Sequence, residues 1–582
     1  MGARTRNTRG ARLRLGRSRH AQHTGRTFAV GQKPAHILAD VIYDPFVPQA
    51  QAEDGGELLA HYQTPLVQGD DVFMEFKSGT YTSCNPPGTY APYPCGPDNW
   101  NNQVWNEKKL HWDDGKLVTR WTFASDWKPE PDASGELGDW EPVFHAAVSG
   151  DSVYVPGLGG TIWKLDKDDG EVKARINPFG RTVDPSTFVA GPLTVDEDGN
   201  VYYNVLKLNI TNSQATNDPW SYGPNFDGQN AADIAGAWLV KVDDDGDARM
   251  VSYKTLIPGA PKTCETTFGY DGDALPWPPS PTAKVQSTVP CLSQRPGLNI
   301  APAVAPDGTI YSATFAHNPY ADRYSYVVAL RPDLTLKWAA SLRGRLNDGC
   351  GVLLPSSGPN ACRAGTTKGV DPATNEPPAG RVSDEATSSP VVTPDGGVVY
   401  GALTLYNDYR GHLFRFSASG QFLAAYDFGW DRTPAIYEHD GTFSVILKDN
   451  HYDAPGYCGT ACGTSPPGPY YITQLNPNLV PEWKFQNTNT LSCHRNPNGT
   501  LSCVSDHPNG FEWCINAPAV DLHGDVYANS EDGNLYVIRQ GGTNARNIFM
   551  NLALGAAYTP LSLGSDGKMY TQNDGHLFVV GN

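Results

Sequence analysis

Hydrophobic and polar positions along this chain repeat as one unit: an apolar run, a small polar turn, then two or three apolar or aromatic residues. Eight copies can be read: QGDDVF (Gln68 to Phe73), SGDSVY (Ser149 to Tyr154), DEDGNVY (Asp196 to Tyr202), APDGTIY (Ala305 to Tyr311), TPDGGVVY (Thr393 to Tyr400), EHDGTF (Glu438 to Phe443), DLHGDVY (Asp521 to Tyr527) and GSDGKMY (Gly564 to Tyr570). Asp-Gly supplies the positive φ angles a tight turn needs, and the flanks have strand composition, so each copy predicts a β-hairpin.

A second hairpin signature follows each of the first seven copies, as in LHWDDGKLVTRWTF (Leu110 to Phe123), WKLDKDDGEVKARI (Trp163 to Ile176), VALRPDLTLKWAAS (Val328 to Ser341) and TQLNPNLVPEWKFQ (Thr473 to Gln486). Two hairpins in succession make a four-stranded blade. Uninterrupted repeats are short: 47 residues separate Asp151 from Asp198, 45 separate Asp395 from Asp440, and 42 separate Gly524 from Asp566. The last repeat runs out of chain after a third strand, His576 to Asn582. A strand near the N-terminus is expected to supply the fourth and close the ring, and Glu53 to Gln63 is the segment expected to do it. Most blades also open with an X-Pro pair, among them Thr64-Pro65, Ser389-Pro390 and Thr559-Pro560. Proline at a strand's first residue forfeits no ladder bond.

The predicted fold is therefore all-β, an eight-bladed β-propeller of four-stranded antiparallel blades. Residues 1–52 read as an Arg-rich arm and lead-in, disordered or mis-started, and residues 53–582 as a single propeller. The Asp-Gly strand pairs, and the Asp/Asn-Gly turn leading to Trp, resemble the repeats of the quinoprotein alcohol dehydrogenase-like, or PQQ-like, propeller superfamily. That resemblance implies this fold. It leaves function open, because the superfamily includes quinone-dependent dehydrogenases and also non-enzymatic propellers such as the outer-membrane assembly lipoprotein.

Composition agrees with the pattern. Gly 60 and Pro 48 make about 19% of the chain, charged residues only 18%, which suits many turns and short strands. The net charge is −18, and eight arginines with no acid lie in the first thirty residues, which leaves 36 basic against 62 acidic side chains, or −26, beyond them. Such a body repels nucleic acid and anionic membrane. No membrane span and no secretory signal can be read in the sequence.

The long insertions, roughly 77–103, 204–236, 257–298, 344–386, 448–470 and 487–515, all fall on connections that share one face of the ring. Long loops on a rigid scaffold are where binding and catalysis concentrate, which places the site on that face over the central channel. All eleven cysteines sit in these insertions: Cys84, Cys95, Cys264, Cys291, Cys350, Cys362, Cys458, Cys462, Cys493, Cys503 and Cys514. Local disulfides are expected, with nearest-neighbour pairs 84–95, 264–291, 350–362 and 458–462, and one thiol left over among Cys493, Cys503 and Cys514. Disulfides imply a secreted or periplasmic location. Metal ligation by the last trio with His494 and His507 is the alternative, although the spacings fit no zinc pattern.

Polar residues near the inner strand ends are the ligand-binding candidates: His145, His317, Asn318, Glu385, Asp431, Arg432, Asp449, Asn450, His451 and Asn516. They offer imidazoles and carboxylates for proton transfer, oxygen ligands for an ion such as Ca²⁺, and in Arg432 a clamp for an anionic group. The bland reading of each is a hydrated or paired channel lining, and for Asp431 with Arg432 a structural salt bridge. A ring of aromatic residues including Trp105, Tyr470 and Tyr471 is expected on the loops, where rings stack on sugars or fill small loop cores. PQQ is weakly supported, since the chain has no vicinal Cys pair, and covalent haem has no CxxCH. Phosphate loops, GxSxG and HExxH are also missing, and KVDDDGD (Lys241 to Asp247) reads as a strand-connecting turn. Three functions remain: an extracytoplasmic protein binding a small molecule or carbohydrate, ranked first; a quinone- or metal-dependent oxidoreductase acting on an alcohol or sugar; and a polysaccharide lyase or hydrolase.

Overall fold

The computed structural model describes residues 35–53, 63–82, 102–129, 144–209, 233–268, 280–285, 287–347, 349–352, 362–382, 384, 388–404, 410–428, 433–450, 468–513, 515, 517–555 and 559–582. Eight antiparallel sheets with four-stranded blade order follow one another along the chain. Each begins with a short inner strand joined to a longer second strand through one of the eight turns read in the sequence. Blade 1 shows the plan: Leu66–Gln68, Asp71–Gly79, Gln103–Asp113 and Lys116–Ala124 pair in that order. The chain is an eight-bladed β-propeller.

Inner strands are only two or three residues long in most blades, while second strands reach seven or nine. The upper half of a long second strand then needs another ladder partner for its backbone groups. In blades 3 and 4 the preceding loop supplies it: Thr187–Val189 and Gln294–Pro296 pair with the far ends of Val201–Lys207 and Ile310–Ala316. The end of the insertion expected over 257–298 is thus strand.

Blades adhere through apolar faces, as where Phe73, Trp105 and Trp121 of blade 1 share a core with Tyr154 and Leu165 of blade 2. Tryptophans on fourth strands also dock on the next blade. Trp121 donates Nε1–H to Lys167 O at 3.1 Å, and Trp338 donates to Ala418 O at 3.0 Å. Each ring lies flat against a turn glycine, Gly170 (φ +78°) or Gly420 (φ +83°), where a Cβ would come within 2.7 and 2.6 Å of the indole. These glycine turns of the third-to-fourth strand connections, Asp169-Gly170 and Ser419-Gly420, therefore serve twice, reversing the chain and admitting the neighbour's ring.

Polar amides make a second set of ties. Asn204, Asn450, Asn529 and Gln572, all on second strands, donate to the carbonyls of Ile300, Trp513, Thr559 and Gln63 in the lead of the following blade.

The ring closes with a strand earlier than expected. His36–Ile42 pairs antiparallel with His576–Gly581, from His36 opposite Gly581 to Ile42 opposite His576. This corrects the assignment to Glu53–Gln63, of which residues 54–62 lie outside the described residues. HILADVI has strand composition, whereas the other segment starts with Asp54-Gly55-Gly56, a poor edge strand. A short helix, Val47–Glu53, then carries the chain from blade 8 to blade 1, where Asp44 meets Lys77 at 2.9 Å. Three aromatic residues expected on loops are strand residues: Trp105 is buried edge-on against Trp127, and Tyr470 and Tyr471 open the strand Tyr470–Leu475. The acidic stretch at Lys241 is a plain turn, Asp243 N donating to Asp247 O between Gly236–Val242 and Ala248–Ser252.

Candidate functional site

Turns between first and second strands, and between third and fourth, form one bare face of the ring. The other face carries the insertions, and all six described cysteines lie in them. Cys264–Cys291 and Cys350–Cys362 are bonded as expected, and Cys493 pairs with Cys503 across a two-stranded hairpin, Leu491–Arg495 with Leu501–Ser505. The bond removes Cys493 and Cys503 as thiolate metal ligands. Cys84, Cys95, Cys458, Cys462 and Cys514 lie outside the described residues.

Between blades 4 and 5 the loop face is underpinned by buried charge. Arg295, on the strand supplied by the preceding insertion, points both terminal nitrogens at Asp384, Nη1 to Oδ1 at 2.7 Å and Nη2 to Oδ2 at 2.5 Å. Its Nε–H donates to His317 Nδ1 at 2.9 Å, and its plane lies 4.2 Å over the Phe315 ring. Asp384 accepts a further bond from Leu298 N. An imidazole nitrogen that accepts from an arginine carries no proton, so the proton of a neutral His317 sits on Nε2. Next to this, Arg381 grips both carboxylate oxygens of Asp322 at 2.9 and 2.7 Å. Asn318 is fully buried at the start of the turn Pro319–Ala321, accepting from Tyr320 N and donating to Pro290 O. The loop 317–325 is thus bound to Arg381, Val382 and Asp384 through the Arg381–Asp322 ion pair, through Arg295 bridging His317 to Asp384, and through Val382 N to Ser325 Oγ.

Between blades 5 and 6, Asp449 is wholly buried. Its Oδ2 accepts from Tyr426 Oη at 2.7 Å, Lys484 Nζ at 2.8 Å and Thr473 Oγ1 at 2.9 Å. Burial, and then the adjacent Asp449 carboxylate, drive the Tyr426 hydroxyl far above the usual phenol range, which keeps it a donor. Asn450 and the Trp513 backbone bond reciprocally, and His145 Nδ1 donates to Ala146 O at 2.8 Å. The structure therefore puts His317 in the Arg295–Asp384 network, buries Asn318 beside it in a turn held by backbone bonds, and places Asp449 and Asn450 at the blade 5–6 and 6–7 junctions. Glu385, Asp431, Arg432, His451 and Asn516 lie outside the described residues.

Arg295, Asp384, Arg381 and Asp322 are not among the residues the sequence singles out. Arg295 and Asp384 are 89 residues apart in different insertions, and no periodicity links them.

A quinone with its metal needs carboxylate and amide oxygens facing one point. Among the described residues no group of three His, Cys, Asp or Glu side chains could hold a metal ion. Asp384 and Asp449 already bind protein donors. The described residues do not fit PQQ with Ca²⁺.

No family model and no curated protein matches the chain. Similar solved structures include a europium-containing methanol dehydrogenase, with 11% identity over 88% of this chain and 82% of that one and a TM-score of 0.42. Quinohemoprotein alcohol dehydrogenase from Comamonas testosteroni shares 11% identity over 94% and 77%, TM-score 0.44. BamB from Moraxella catarrhalis shares 12% over 82% of each chain, TM-score 0.33. At such levels the fold rests on the strand order of the chain itself. Among the described residues no helix is long and apolar enough to cross a membrane.

Proposed function

We propose that this chain is an extracytoplasmic propeller that binds a small-molecule or carbohydrate ligand at the channel mouth of its loop-bearing face. The observation that carries the reading is the Arg295–Asp384–His317 network. Apolar packing of similar volume often stabilises a buried site better than an ion pair does, so buried charge is retained where it positions something. Here it ties the strand Gln294–Pro296 and His317 of blade 4 to Asp384 in the lead of blade 5. Two of the leads into inner strands are strained in support, with Asn299 at φ +60° and Ala517 at φ +67°, a conformation non-glycine residues adopt mainly where surroundings enforce it. Disulfides in the same insertions fit an oxidising compartment.

The test is a thermal-shift and calorimetric screen of the full chain against sugars, alcohols and PQQ with Ca²⁺. A saturable ligand whose binding is lost in Asp431→Ala or Arg432→Ala supports the channel-mouth site. A panel that leaves the melting curve unmoved counts against it, and a quinone absorption band with stoichiometric Ca²⁺ would replace it with the oxidoreductase reading.

A further inference from the structure

The disulfide-stapled hairpin Leu491–Arg495/Leu501–Ser505 stands off the rim of blades 6 and 7. It is anchored by Arg495, whose Nη2 donates to Phe549 O at 3.1 Å while its guanidinium lies over the Phe549 ring. At its base Asn487 donates to Ser530 Oγ and Asn489 to Asp532 Oδ2. Between hairpin and blades lies a hollow of about 380 Å³, and a second of about 310 Å³ adjoins it, the two sharing Gln486 and Thr488. They form one elongated groove away from the channel.

The groove's lining is uncharged in an acidic protein. The chain carries −18 overall, yet among the described residues no side chain lining either hollow bears a formal charge. The walls combine the half-buried rings of Phe485 and Phe549 with the edge of Tyr536. Beside the rings stand amides and a hydroxyl: Gln486, Thr488 and Asn547 are exposed, and Asn534 is buried behind them. Asn547 Nδ2 donates to Asn534 Oδ1 at 2.9 Å, so the outer amide is oriented by the inner one before any ligand arrives. Leu491 and Leu501 keep 41% and 43% of their surface exposed on the hairpin side.

A ligand matched to this surface has no charge, many hydroxyl donors and acceptors for the amides, and flat apolar patches for the rings. We propose that the groove binds a neutral oligosaccharide, with a sugar face stacked on Phe485 or on the face of Phe549 that Arg495 does not cover, and its hydroxyls bonded to Gln486, Thr488 and Asn547. None of the described lining side chains offers a charged glycan a cation, and Arg495 at the groove's edge is already engaged with the Phe549 carbonyl and ring. This site is separate from the channel mouth and does not rest on the reading given for it.

The experiment titrates the full chain calorimetrically with cellohexaose, xylohexaose and mannohexaose. A hexagalacturonate and a capped, uncharged proline-rich decapeptide are run beside them, at low and high salt. At least one neutral hexasaccharide should bind with an affinity that salt does not change, because no ion pair is there to be screened. Phe549→Ala and Asn547→Asp should each weaken it about tenfold or more, and Arg432→Ala should leave it unchanged. Asn547 is exposed, so its variant keeps the test open if the Phe549 variant fails to fold. Binding of none of the three neutral sugars overturns the proposal, as does binding of the peptide or the hexagalacturonate alone. A sugar whose affinity both groove variants leave intact also overturns it. Loss of binding in Arg432→Ala assigns the sugar to the proposed channel-mouth site and overturns the groove.

Discussion

The carboxylate Oδ1 of Asp40 lies 2.6 Å from Nδ1 of His576, a contact across 536 residues of chain that joins the first blade-forming strand to the last. The hydrogen bond to Asp40 raises the His576 pKa above its ordinary 6.5. A raised histidine contributes stability that is fully present below the unfolded value and is lost as pH rises through the folded one.

Asp40→Asn should therefore destabilise the protein by about 0.5–1 kcal/mol below pH 6, since the pair is partly exposed, and have little effect above the raised His576 value. Thermal melts across pH 5 to 9 read this directly. Equal destabilisation at every pH would mean that protonation of His576 beside Asp40 does not supply the stability. Removing residues 35–42 is the harsher version: it bares the edge of His576–Gly581 and should broaden the unfolding transition as well as lower its midpoint.

Glu75 and Glu107 sit opposite one another on neighbouring strands of blade 1, both fully buried. Burial pushes the Glu107 carboxyl well above the carboxylate range, with the Gln63 side chain opposing the shift. The native state then holds a proton that the unfolded chain releases above about 4.5. Stability falls as pH rises from that value to the raised folded pKa and levels off beyond it. Glu107→Gln keeps the size and removes the titration. It should flatten the pH dependence of denaturant unfolding and stabilise the protein at pH 8 by about 1–3 kcal/mol. An unchanged slope between pH 5 and 8 would show that Glu107 is ionised throughout.

Arg295→Met leaves Asp384 buried without its cation, and should cost about 3–5 kcal/mol. The double variant Arg295→Met/Asp384→Leu removes both charges and should recover most of that loss. If the network positions a binding loop, the double variant melts near the parent temperature but binds the channel ligand more weakly. Parent-like binding would reduce the network to a packing device.

Local chemistry explains why so much of the fold is legible in the chain. A two-residue reversal at Asp-Gly needs nothing beyond its neighbours, and alternation decides which side chains face the next blade. Trp121 and Trp338 can be read the same way, each on the strand that follows its turn. Site residues are harder. Asn450 and Asn204 look alike in sequence to ligand-binding amides, and only the carbonyls of Trp513 and Ile300 in the next blade show them to be engaged between blades. The cysteines were legible as loop staples, since Cys264–Cys291 and Cys350–Cys362 bond as near neighbours. Among the crowded trio, spacing left the choice open, and the cross-strand register of Cys493 opposite Cys503 decided it.

Blade number, hairpin positions, the bare face and the loop-bearing face follow from the sequence by itself, because each depends on residues a few positions apart. The tertiary structure alone decided that His36–Ile42 and not Glu53–Gln63 fills the open edge, that Arg295 meets Asp384, and that a hairpin and two blades enclose an uncharged groove. Those contacts join segments tens to hundreds of residues apart. A strand edge accepts any segment with free backbone groups, and a guanidinium any carboxylate within reach, so the partner is set by where the ring carries each segment.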